Sequence, residues 1–118
     1  MINDQQAKEI LAQYRKHGWN LRRVLLSAES GEILSDSLKS LFGDAEIVLS
    51  EIDAVWFSRP SGAGNEAWEI RRLSGAPFAL VEVFEGDDDE EVREETRKEM
   101  ETRLCQPASK LRNQNPNF

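Results

Sequence analysis

The chain has 118 residues, 39% hydrophobic and 31% charged, with three Trp and five Phe: a globular composition, long enough for one core without disulfide or metal staples. Most of its net charge of −7 comes from residues 87–104, where nine acids outnumber Arg93, Arg97, Lys98 and Arg103, and the lack of a basic stripe disfavours nucleic acid as a direct ligand. A single cysteine, Cys105, excludes an internal disulfide and Cys-rich zinc sites and fits a reducing cytoplasm, and no stretch approaches the roughly 18 apolar residues of a membrane helix.

The N-terminus, Met1-Ile2-Asn3-Asp4, lacks the basic and apolar regions of a secretory leader. Ala7, Ile10, Leu11 and Tyr14 recur at helical spacing behind an Asn3 or Asp4 cap, which predicts an amphipathic helix over 4–17. Gly18 ends it in the left-handed position, letting Trp19 fold back on the last turn. Arg22–Ser27 reads as a short strand, and Ala28-Glu29-Ser30-Gly31 as a turn into Glu32-Ile33-Leu34, a small hairpin. Ser35 then caps a short helix through Leu38, Leu41 and Phe42 that stops at Gly43, and Ile47–Leu49 is a brief strand.

The runs Asp53–Arg59, Ala67–Leu73 and Phe78–Phe84, joined by two Gly-bearing turns, predict an antiparallel meander. Beyond Glu85-Gly86, the acids Asp87, Asp88, Glu90 and Glu91 crowd the first turn of a helix running to about Leu104, where carboxylates complement the dipole. Its apolar stripe is thin, with only Val92, Met100 and Leu104, and Glu94 and Glu99 stand four residues before Lys98 and Arg103. Residues 106–118 read as a disordered polar tail after a single domain of residues 1–105. The expected class is α+β: an antiparallel sheet of four to five strands built on the 53–84 meander, with the N- and C-terminal helices packed on one face.

Register decides which side chains share a face. A two-residue turn at Gly75 sets Leu73 opposite Phe78, Arg71 opposite Leu80 and Glu69 opposite Glu82, and Arg59 opposite Glu66 completes the meander. Val55, Phe57, Trp68, Ile70, Ala79, Val81 and Val83 then form the core face. The other face carries Trp56, Glu69, Arg71, Phe78, Leu80, Glu82 and Phe84. Aromatic residues interleaved with charges suit a half-covered surface, either an interface or a shallow ligand site, or a face covered by another helix of the same chain.

Candidate chemistry is sparse. His17 is the only histidine, which excludes a histidine metal cluster, and its place at a helix end fits a capping or surface role. Cys105 has no cationic neighbour in sequence to activate it. The Asp87–Glu91 run lacks the spacing of a calcium loop, and Ser61-Gly62-Ala63-Gly64-Asn65 is followed by a strand, so it reads as a hairpin loop rather than a phosphate cradle. No cofactor and no metal are expected. Glu69 and Glu82 directly opposite one another, with Arg71 beside them, are the one arrangement with acid–base potential.

The leading expectation is a small, cytoplasmic, non-enzymatic interaction protein, forming a homo-oligomer or docking a protein partner through that mixed face. The alternative is a small-molecule-binding or enzymatic domain in which Arg71 holds a small anionic ligand and Glu69 or Glu82 handles a proton.

Overall fold

A computed structural model describes residues 2–75 and 77–105; the tail expected over 106–118 lies outside the described residues. The elements are α1 (Asp4–Lys16), β1 (Asn20–Leu26), α2 (Ala28–Ile33), α3 (Asp36–Ser40), β2 (Glu46–Leu49), β3 (Ala54–Pro60), β4 (Glu66–Arg72), β5 (Ala79–Phe84) and α4 (Glu90–Cys105). The strands form one sheet in the order β2-β1-β3-β4-β5. The β3–β5 meander is antiparallel, as the sequence predicts, and β1–β2 is the one parallel pair, which makes the sheet mixed.

Local signals place most boundaries. The Asn3 side chain accepts from the Gln6 N–H and caps α1. At the other end Gly18 has φ +84°, its N–H reaches the Arg15 carbonyl, and the Trp19 N–H reaches that of Tyr14, a Schellman ending. Trp19 then packs edge-on to Tyr14. Ser35 caps α3, and its hydroxyl and N–H also bind the Asp4 carboxylate, tying α3 to the start of α1.

The small hairpin expected over 22–34 is a correction: residues 28–33 form helix α2 instead. The cause is tertiary. Asp53, buried in the chain before β3, accepts from the Ser27 N–H (2.9 Å) and the buried Ser30 hydroxyl (2.7 Å), and the Ser27 side chain caps the turn. Pinning both serines to one carboxylate curls the segment into a helix that Gly31 alone would disfavour.

The helices do not share a face as expected. Ala7, Ile10 and Leu11 of α1 join Leu34, Leu38 and Phe42 against Val24, Val55 and Phe57. Met100 and Leu104 of α4 pack on Leu25, Trp56, Trp68, Ile70 and Phe84 on the opposite side. The reason lies in β3, whose consecutive Val55, Trp56 and Phe57 are all fully buried; alternating side chains of that size need cover on both faces. The result is a three-layer arrangement with a separate apolar cluster on each side of the sheet.

The two clusters are expected to respond independently. Ile10→Val on α1 should cost about 0.5–1.5 kcal/mol and Leu104→Ala on α4 about 2–5 kcal/mol. In urea denaturation the double variant should equal the sum within about 0.5 kcal/mol, whereas helices sharing one core would couple more strongly.

Candidate functional site

Both hairpins pair one residue away from the expected register. In β4–β5 the partners are Arg71 and Ala79, Ile70 and Leu80, Glu69 and Val81, and Trp68 and Glu82; in β3–β4, Arg59 pairs with Ala67 rather than Glu66. The link after β4 is wider than a two-residue turn: the Arg72 N–H binds the Phe78 carbonyl, and the Leu73 N–H turns instead to the Asp53 carbonyl. The slip reverses facing. Trp56, Phe78, Leu80, Glu82 and Phe84 stay together on the α4 side, while Glu69 and Arg71 move to the α1 side. The Glu69/Glu82 pair is thereby separated by the sheet, and the mixed face of seven residues does not exist as one surface.

On the α4 side the aromatic members are covered. Trp56 is inaccessible and Phe84 nearly so, and the Trp56 indole N–H donates to Glu101 of α4 (2.8 Å). Glu82 alone of this group is exposed, and Phe78 and Leu80 are half-buried. The inward stripe of α4 also differs from the expected one. Val92 is 54% exposed, while Arg97, 1% exposed, occupies the stripe with Met100 and Leu104.

Arg97 is held by charge and aromatic contact together. Its guanidinium lies 4.2 Å from the Trp68 ring centroid and binds Glu90 (2.9 and 3.0 Å) and Glu94 (2.6 Å). Glu94 also receives Arg23 of β1 (2.9 Å), in place of the i,i+4 contact with Lys98 that its spacing suggests. Burial pushes the Glu94 carboxyl up, but the hydrogen bond and charge of Arg23, with those of Arg97, outweigh it and hold the group below its usual 4.5. The Arg97 hydrogen bonds lower Glu90 likewise. Sequence reasoning missed this cluster because a single Arg on a helix reads as solvated; the signal available was Glu90 and Glu94, seven and three residues before Arg97, on the same helical face.

On the α1 side, Glu69 accepts the Tyr14 hydroxyl, and Tyr14 stacks on Phe57 with centroids 4.1 Å apart. Burial, then the Glu69 carboxylate, raises the Tyr14 hydroxyl far above its ordinary value. Arg71 donates to the Arg72 carbonyl and borders an open depression with Gln6, Glu9, Gln13 and Tyr14. Beyond Glu69 and Arg71 toward the sheet edge, Ala79, Val81 and Val83 of β5 are all exposed, the two valines by 58% and 48%.

The backbone of that edge follows from the ladder. Arg72 and Phe78 form a hydrogen-bonded pair, so alternation assigns Ile70/Leu80, Trp68/Glu82 and Glu66/Phe84 to the same kind. The N–H and C=O groups of Ala79, Val81 and Val83 therefore point outward from the sheet.

The remaining candidates stand apart from these clusters. His17 is exposed at the α1 C-cap, its Nδ1 2.9 Å from the Gln13 carbonyl oxygen. Burial and Glu51 raise the Cys105 thiol. Ser61–Asn65 closes a hairpin loop through Ser61 N–H to the Asn65 carbonyl. Glu85, Asp87 and Asp88 bring exposed carboxylates within 4.8 Å of one another, where Asp88 accepts from the Glu85 N–H. Compared with family models, with curated proteins and with solved structures, the chain matches none.

Folded-state lowering of Glu90 and Glu94 sets a pH dependence. The unfolded chain protonates these carboxyls first as pH falls, so their contribution is complete above 4.5 and is lost as pH drops through the lower folded-state values. Urea midpoints should therefore fall between neutral pH and strong acid. Glu94→Gln should be less stable by about 1–3 kcal/mol near neutrality, because Arg97 stays buried with one partner fewer, and should show a shallower acid dependence than the wild type.

Proposed function

We propose that this is a small, cytoplasmic, non-enzymatic interaction protein that self-associates by pairing strand β5 with β5 of a second copy. The observation that carries this reading is the β5 edge, unpaired among the described residues, where three outward backbone positions coincide with three exposed apolar side chains, Ala79, Val81 and Val83. Such edges are ordinarily blunted by Lys, Pro, a bulge or an inward charge. Within Ala79–Phe84 there is no Lys, no Pro and no break in the register with β4, and the one charge, Glu82, points to the face that α4 packs on and stays exposed there. The opposite edge, β2, is shorter and begins with Glu46.

A second copy fits because the row is self-complementary. Pairing Val81 with Val81 of the partner places Ala79 opposite the partner's Val83 in hydrogen-bonded positions and Leu80 opposite the partner's Glu82 on the other face. Of the two neighbouring permitted registers, one sets Glu82 directly against its own copy, where like charges are unfavourable, and the other sets Val83 against Pro77, which lies outside β5 and has no N–H to pair. The favoured pairing joins two five-stranded sheets and brings the exposed valines of both copies together, flanked by Glu69 and Arg71. A single cysteine in 118 residues fits a reducing compartment. A catalytic reading through Glu69 and Glu82 has no support, since the two carboxylates lie on opposite faces.

Light scattering behind a sizing column, at about 0.1 mM protein so that a micromolar interface is filled, tests this. The wild type and Ile47→Lys on β2 should both run as dimers, and Val81→Lys as a folded monomer with an unchanged circular dichroism spectrum. A monomeric wild type, or a dimer that survives Val81→Lys, would overturn the reading.

A further inference from the structure

A second surface lies on the other side of the sheet, along the flank of α4 that faces β1. The pairing of β1 with β3 slips between Leu21 and Arg23, leaving Arg22 as an extra residue in a bulge. Leu21 packs in the α1-side cluster, yet Arg22 and Arg23 both reach the α4 side: Arg22 donates to the buried Ser58 hydroxyl (3.2 Å), and Arg23 binds Glu94 of α4. The bulge thus delivers two consecutive guanidinium groups to one face. They enter a half-open groove of about 400 Å³ floored by Trp68 and walled by Arg93 and Arg97, with Glu46, Glu66 and Glu90 among its lining.

The charges in this groove are not matched evenly. Arg23 has Glu46 and Glu94, and Arg97 has Glu90 and Glu94. Arg93 donates to the Glu85 carbonyl (2.6 Å) and reaches Glu66 at 3.4 Å, and its Nε, like that of Arg97, is buried without a partner. Among the described residues Arg22 has no carboxylate within ion-pair distance; one of its nitrogens is used by Ser58, and its guanidinium rests 4.9 Å from the Trp68 ring centroid, which already holds Arg97 at 4.2 Å. Arg97 is neutralised by Glu90 and Glu94, whereas Arg22, exposed at the mouth of the groove, has no such partner among the described residues. An anion beside Arg22 would supply the ion pair that this guanidinium lacks.

We propose that this groove binds a small monocarboxylate, held beside Trp68 by the Nε and Nη2 edge of the Arg22 guanidinium, the edge that Ser58 does not use. The volume is within the range of small-molecule sites. A single negative charge matches the single unpaired guanidinium, whereas a multiply charged anion would meet the field of Glu46, Glu66 and Glu90. Planar two-oxygen geometry matches the fork of an arginine side chain. This site is independent of the β5 edge, which lies on the far strand and whose valines face the opposite side.

The test is a titration of ¹⁵N-labelled protein with sodium acetate, with inorganic phosphate and sodium chloride at equal ionic strength as comparisons, followed at the Trp68 indole N–H and the arginine Nε–H resonances. Acetate should give a saturable shift with a dissociation constant of about 1–10 mM, and chloride none. Arg22→Gln should weaken acetate by about tenfold or more, while Arg59→Gln, which removes the arginine stacked on Trp19 across the sheet, should leave it unchanged. The proposal is overturned by a linear response shared with chloride, by tighter binding of phosphate than of acetate, or by an unaltered titration in Arg22→Gln with its folded spectrum intact.

Discussion

The architecture depends on one constraint in β3, the adjacency of three fully buried side chains at Val55, Trp56 and Phe57. In a strand these alternate between faces, so no single layer of helices can cover them. α1 and α3 are recruited to Val55 and Phe57, and α4 to Trp56. Covering Trp56 carries a polar requirement as well, because its indole N–H must find an acceptor once buried, and Glu101 provides it from α4. The helix α4, almost entirely polar in sequence, is thereby fixed by two apolar residues and an arginine together with polar contacts to the sheet, Glu101 on the Trp56 indole, Glu94 on Arg23 and Arg93 on Glu66.

That arginine explains how so wet a helix docks. Arg97 contributes its stem and the flat face of its guanidinium to Trp68 and spends its charge on Glu90 and Glu94 at the surface. Hydrophobic periodicity does not reveal such a contact, because the residue that fills the stripe is scored as polar. It counted Val92, which the structure leaves exposed, and passed over the residue that is buried in its place. The same blindness hid Arg22 and Arg23, whose common facing depends on a bulge that no local turn signal marks.

Caps and turns, being local, were legible: Asn3, the Gly18–Trp19 ending and the Ser35 cap all stand where residue chemistry puts them. The meander was legible because its strands are rich in β-branched and aromatic residues. What was not legible was anything settled at a distance. Asp53 pulls Ser27 and Ser30 into a helix, and its backbone carbonyl takes the Leu73 N–H, drawing that residue away from β5. A one-residue slip followed, and with it the division of the seven face residues between two surfaces. The continuous run Ala54–Phe57 held the correct answer, since a strand exposed on one face alternates and this one does not.

The two surfaces left open are consequences of this packing. α1 and α3 pack over β1 and β3 on one face, and α4 packs on the other over Leu25 of β1, Trp56 of β3, Trp68 and Ile70 of β4 and Phe84 of β5. Each leaves a quadrant uncovered. On the α1 side the open quadrant is β5, whose valines have no helix above them, and whose backbone is unpaired at the same three residues, among the described residues. On the α4 side it is the flank toward β1, where the bulge sets Arg22 beside an ion network that is already satisfied without it. The apolar quadrant gains by excluding water, and the charged one by receiving an anion. The two lie on opposite faces of the sheet and meet only through β4, whose Glu66 and Trp68 line the groove and pair with Phe84 and Glu82 of β5.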